Sequence, residues 1–220
     1  MNQELIHVYL MPGMAANPSI FEHIKLPQDQ FQVHWMQWII PELNEPIELY
    51  AKRMTQQIRH ENPVLLGVSF GGIMVQEMSG HISVKKLIIV SSVKSKYELP
   101  RRMRFARVTK AYKLVPTRLA KSVDALAKYS FGRTVTRRVE LYKKYLSVSD
   151  KRYLDWAIEQ VVCWKQKETI ADIIHIHGKN DMVFPIKYVR NCMAVERGSH
   201  IMIINKYRWF NKNLPKIILS

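Results

Sequence analysis

Short apolar runs alternate along the chain with stretches in which apolar residues recur every three or four positions. Ile6-His-Val-Tyr-Leu-Met11 predicts a first strand closed by Pro12-Gly13, and Asn17-Pro18-Ser19 is a start signal for a short helix through Ile24. Phe31 to Trp38 alternates imperfectly and predicts a second strand. Pro46 to Arg59, with Ile47, Tyr50, Ala51, Met54 and Ile58, has helix spacing. Val64-Leu-Leu66 predicts a buried third strand, the positions from Ile73 to Met78 a helix, and Val84 to Val90 a fourth strand. Strands alternating with helices imply an α/β protein with a mostly parallel sheet covered on both faces. From Ser95 to about Lys167 that rhythm stops. Arg101–Ala111, Thr117–Tyr129, Thr134–Leu146 and Asp150–Gln166 all have helical patterns there, so residues 95–167 read as a helical insertion. The strand pattern resumes at Asp172–His177, a short helix includes Lys187–Arg190, Cys192–Glu196 is a last short strand, and Ile201–Leu214 opens a final helix.

The third strand ends on Gly67-Val-Ser-Phe-Gly71, and the helical pattern begins at once. Strand, sharp turn and helix in that order put Ser69 under backbone strain, with its hydroxyl pushed out at the sheet edge. Glycines flank it because a Cβ there would collide with the neighbouring strand and helix.

Composition sets the boundaries of the reading. A chain of 220 residues, 47% hydrophobic and 24% charged, suits one folding unit, and no apolar run is long enough to span a bilayer. Met1 to Leu10 lacks the basic start of a signal peptide, so the expected location is the cytoplasm. Cys163 and Cys192 stand far apart with no C-x-x-C pair and no histidines at ligand spacing, which predicts neither metal site nor disulfide. The net charge of +16 is unevenly spread: Lys94 to Arg152 holds 18 Lys or Arg against four acids, a net of +14.

A serine hydroxyl is a poor nucleophile near neutral pH. It needs an imidazole to take its proton and an acid to hold that imidazole in one tautomer. His200, in Glu196-Arg-Gly-Ser-His200, and Asp181, in His177-Gly-Lys-Asn-Asp181, both follow predicted strand ends, where open α/β sheets place their ligands. Glu98 is the rival acid, but it stands too far past the fourth strand. His7, His23, His34, His60, His81, His175 and His177 are assigned no role.

The order Ser, Asp, His, with Gly67-Val-Ser-Phe-Gly71 as elbow, His177-Gly-Lys-Asn-Asp-Met-Val-Phe-Pro185 as acid loop and Gly198-Ser-His200 as histidine loop, resembles the α/β-hydrolase superfamily over nearly the whole chain. The resemblance implies residues 1–94 and 168–220 as core and 95–167 as a cap, without the usual antiparallel N-terminal strands. It also implies Ser69 as nucleophile, His200 as base, Asp181 as orienting acid, and the backbone N–H groups of Phe70 and Met14 as oxyanion hole. The loop holding Met14 departs from pattern, with Pro12-Gly13 where the family often has His-Gly.

The insertion carries an apolar wall of Met103, Phe105, Tyr112, Leu114, Leu126, Tyr129, Phe131 and Trp156 among many cations. Those cations are either a solvated helical face or a meeting surface for something acidic. Candidates are an anionic acyl substrate, contacted by Arg101, Arg102 and Arg104, an acyl carrier protein, or anionic lipid headgroups; no nucleic-acid motif accompanies the charge. The expected function is a cofactor-independent serine hydrolase of carboxylic esters or thioesters. Its rivals are a lyase or C–C hydrolase on the same triad, and a ligand-binding, receptor-like protein with vestigial turnover.

Overall fold

The computed structural model describes residues 5–115, 117 and 144–220. Six strands form one sheet: β1 Ile6–Met11, β2 Phe31–Trp35, β3 Val64–Val68, β4 Lys86–Val90, β5 Ile174–Gly178 and β6 Met193–Val195. Their order is β2-β1-β3-β4-β5-β6 and every pair is parallel. The chain steps from β1 out to β2, then crosses back to β3 on the other side of β1. The C-terminal ends of β1 and β3 therefore flank the crevice where strand order reverses.

Alternation along the strands divides the core into two layers. Tyr9, Met11, Leu65, Leu87 and Ile89 face α1 (Ile47–Met54) and α2 (Phe70–Ser79). Val8, Leu10, Val64, Leu66, Ile88, Val90 and Ile176 face Phe21 and the C-terminal helices. β3 is buried at all five positions, as the unbroken apolar run predicts.

Differences from the sequence pattern lie at element ends. β2 stops at Trp35, three residues early, because Trp38 leaves the sheet to pack over the crevice. The helix expected over Pro46–Arg59 ends at Met54 and tightens into a 3₁₀ turn, Thr55–Gln57. Near the C-terminus, α5 (Met202–Asn205) and α6 (Tyr207–Leu219) replace one continuous helix, with the break at Lys206, and α6 runs on through Pro215.

In the predicted insertion, α3 (Arg101–Thr109) and α4 (Lys151–Cys163) are present. Helices expected over Thr117–Tyr129 and Thr134–Leu146 lie mostly outside the described residues, as do Leu126, Tyr129 and Phe131. The Asp150 side chain caps α4 by accepting from the Tyr153 amide at 2.9 Å. Tyr153, Leu154, Trp156 and Ala157 are buried in the same layer as α1 and α2, and the Trp156 indole donates to the Glu45 carbonyl at 2.7 Å. Burying the three large ones, Tyr153, Leu154 and Trp156, stabilises by roughly 1.5–3 kcal/mol each, so α4 is packed as part of the core. Among the described residues no helix is long and apolar enough to cross a membrane.

Candidate active site

Ser69 joins β3 to α2 with φ 55° and ψ −119°, a conformation that costs a non-glycine residue energy and is held by its surroundings. Its amide donates to the Val90 carbonyl at 2.9 Å, and its carbonyl accepts from the Ser92 hydroxyl at 2.7 Å. The end of β4 thus clamps the elbow from both sides. A Cβ on Gly67 would stand 2.1 Å from the Gly71 carbonyl oxygen, and one on Gly71 would stand 2.3 Å from the Pro12 carbonyl oxygen. Backbone contacts that close leave room only for glycine.

The three residues singled out in sequence converge. The Ser69 hydroxyl lies 2.9 Å from His200 Nε2, and His200 Nδ1 lies 2.9 Å from Asp181 Oδ2. An ionised carboxylate only accepts, so Nδ1 carries the proton and Nε2 presents a lone pair to the Ser69 O–H. Asp181 is 3% exposed, and its other oxygen accepts from the Val183 and Phe184 amides at 2.8 and 2.9 Å. Burial alone would raise its pKa. The His200 charge, the hydrogen bond from His200 and the Phe184 amide outweigh that and hold it below the usual carboxylate value. The acid and histidine loops are joined by the Asn180 amide, which donates to the Gly198 carbonyl at 2.8 Å.

Several neighbours support these groups in ways the sequence did not reveal. His177, assigned no role in sequence, donates from Nε2 to the Phe184 carbonyl at 2.8 Å. Its Nδ1 is left to accept from His175 Nε2 at 3.0 Å. Trp38 stacks on Phe70 with ring centroids 5.0 Å apart, and its indole donates to the Gly13 carbonyl at 2.9 Å. One side chain thereby ties the loop after β1 to the first residue of α2. The local signal for His177 was its place one residue before Gly178 at a strand end; Trp38 carried no local signal, since its partners are distant in sequence.

The arginines of α3 part company. Arg102 donates through Nη2 to the Met182 and Val183 carbonyls, 2.9 Å each, so its guanidinium is engaged by the acid loop. Arg101 is exposed. Arg104 lines a cleft of about 840 Å³ with Lys94, Lys167, Lys187 and Arg190, and Ser69 is not among the lining residues. Glu98, the rival acid, is spent elsewhere: its carboxylate accepts from the Lys94 and Arg190 amides at 2.7 and 3.0 Å.

The chain matches no protein-family model and no curated protein. Its structure, however, superposes along its whole length on solved structures. A bromoperoxidase from Bacillus anthracis is 15% identical with a TM-score of 0.71, over 100% of this chain and 94% of that one. An esterase from Exiguobacterium antarcticum is 16% identical with a TM-score of 0.69 over the same shares, 100% and 94%. The enol-lactonase from Burkholderia xenovorans LB400 is 13% identical with a TM-score of 0.68, over 99% and 92%. What they share with this chain is the α/β-hydrolase fold.

Proposed function

We propose that this protein is a serine hydrolase of carboxylic esters or thioesters, acting through Ser69, His200 and Asp181. The observation that carries this reading is the unbroken hydrogen-bond line from the Ser69 hydroxyl through His200 to buried Asp181. As Ser69 Oγ attacks an acyl carbonyl, its proton passes to His200 Nε2, and the resulting imidazolium is stabilised by Asp181. Charge developing on the carbonyl oxygen meets the amides of Phe70 and Met14. Phe70 opens α2, so its N–H belongs to the helical turn that has no intrahelical acceptor, and the helix dipole favours negative charge there. Collapse expels the alkoxide or thiolate, protonated by His200, and leaves an acyl group on Ser69 Oγ. Water, deprotonated by His200, then releases the acid and restores Ser69.

The esterase and the enol-lactonase among the similar structures carry names that fit ester chemistry on this fold. An acidic partner, whether an anionic acyl group, a carrier protein or a lipid surface, fits the cationic cleft around Arg104 and Lys187. The test is labelling with a fluorophosphonate probe beside turnover of p-nitrophenyl acetate and butyrate. Native protein is expected to label and turn over, Ser69→Ala to do neither, and Asp181→Asn to lose on the order of 10⁴ in kcat by releasing the imidazole tautomer. A folded native protein that neither labels nor turns over would favour a binding protein on the same fold.

A further inference from the structure

A second cluster stands at the other end of the sheet. His7 lies near the start of β1, His34 on β2, and His60 in the segment leading into β3. His7 and Tyr9 share one face of β1, and Tyr9 is paired with His34 across the β1–β2 ladder. One coordinating nitrogen from each histidine lies within 4.8 Å of the other two. His7 Nδ1 is 3.0 Å from His34 Nε2, and the rings of His7 and His60 stack with centroids 3.4 Å apart. The Tyr9 hydroxyl accepts from the Arg59 amide at 3.0 Å and contacts His60 Nδ1 at 2.7 Å. All three imidazoles are partly buried and keep some solvent access.

We infer that His7, His34 and His60 form a three-histidine site for a divalent transition-metal ion, with zinc the best fit. Neutral imidazole is a preferred zinc ligand, and three protein nitrogens plus one solvent position complete a tetrahedron. Zinc–nitrogen bonds of 2.0–2.1 Å would bring the three nitrogens to about 3.3 Å of one another. The His7–His34 pair already stands near that spacing, and rotation of the His60 side chain closes the rest. Tyr9 supplies the outer contact that fixes a ligating ring, taking the Nδ1 proton of His60 while the other nitrogen faces the ion. The ion would sit about 13 Å along β1 from Met11, away from Ser69, so it would act on the scaffold. It would join the edge strand β2 and β1 to the segment that feeds the nucleophile's own strand.

The test uses tag-free, metal-stripped full-length protein and zinc chloride alone. Equilibrium dialysis is expected to show one tightly held zinc per chain, and competition with a chromophoric chelator to show affinity falling at least about a hundredfold in His34→Ala and about tenfold in Tyr9→Phe. His81→Ala, outside the cluster, is expected to bind like the native protein. Cobalt substituted for zinc is expected to give the intense visible bands of a tetrahedral site. A hundredfold excess of zinc over Kd is expected to raise Tm by about 5–10 °C in the native protein and not in His60→Gln, which preserves side-chain bulk in a loop position. No retained zinc would overturn the inference. So would equal zinc affinity in native protein, His34→Ala and His60→Gln, which would place the ion on His200 or scattered surface histidines.

Discussion

His175 sits in the β5 interior with its Nε2 on His177, and neither ring can be charged without loss. Burial first, then the charges of His177 and Lys94, push the His175 pKa down to about 2, and burial also lowers His177. The folded values lie below the ordinary 6.5, so as pH falls the unfolded chain binds these protons first. Their stabilising effect is complete above about pH 6.5 and is lost progressively below it, by up to about 1.4 kcal/mol per pH unit for each ring. Asp181, also shifted down, adds a loss of the same sign once pH drops below the ordinary aspartate value of 3.8. Urea midpoints are therefore expected to fall between pH 7 and pH 5, by the equivalent of roughly 2 kcal/mol, and to fall less in His175→Gln, whose amide keeps a donor toward His177. An unchanged midpoint over that range would show that these rings titrate freely. Ser69 is also under constraint, and the Gly-x-Ser-x-Gly motif together with the strand before it and the helix after it points to it, because the steric demand of the turn is local. The His175–His177 pair was invisible for the opposite reason: alternate positions of a strand share a face, but only the fold decides that the face is dry.

Among elements, α3 is the one whose place differs most from expectation. Its arginines read as a cationic face toward substrate, yet Arg102 holds the backbone of the loop that carries Asp181. Loss of two charge-assisted hydrogen bonds at an exposed site costs up to about 1 kcal/mol, so Arg102→Met is expected to lower kcat for a p-nitrophenyl ester about two- to fivefold with little change in KM. Arg102→Lys should recover only part, since an ammonium cannot match the planar fork. A KM effect confined to anionic esters would instead return Arg102 to the substrate. The core elements were legible because buried strands are short unbroken apolar runs; β1 has the bounds its pattern predicts. Ends were less legible because tertiary contacts set them. Trp38 belongs to no strand because stacking on Phe70 and bonding to Gly13 draw it over the crevice. The final helix breaks at Lys206, and nothing in the local pattern marks that position.

At the scale of the whole molecule, the elbow motif, the strand-end positions of Asp181 and His200 and the order of the three along the chain were enough to group them, because a parallel sheet delivers every strand's C-terminal loop to one edge. The three histidines at the opposite end escaped notice since they come from three segments, His7 and His34 being 27 residues apart, with no recurring spacing to read. The Ser69–His200 hydrogen bond spans 131 residues of chain, whereas β3 and α2 are adjacent. Closing so long a loop is paid for only when β5 and β6 have docked, so the reactive serine is among the last features to appear during refolding. After dilution from urea, far-UV circular dichroism is expected to recover before fluorophosphonate reactivity, and the interval between the two signals would time the arrival of the C-terminal strands.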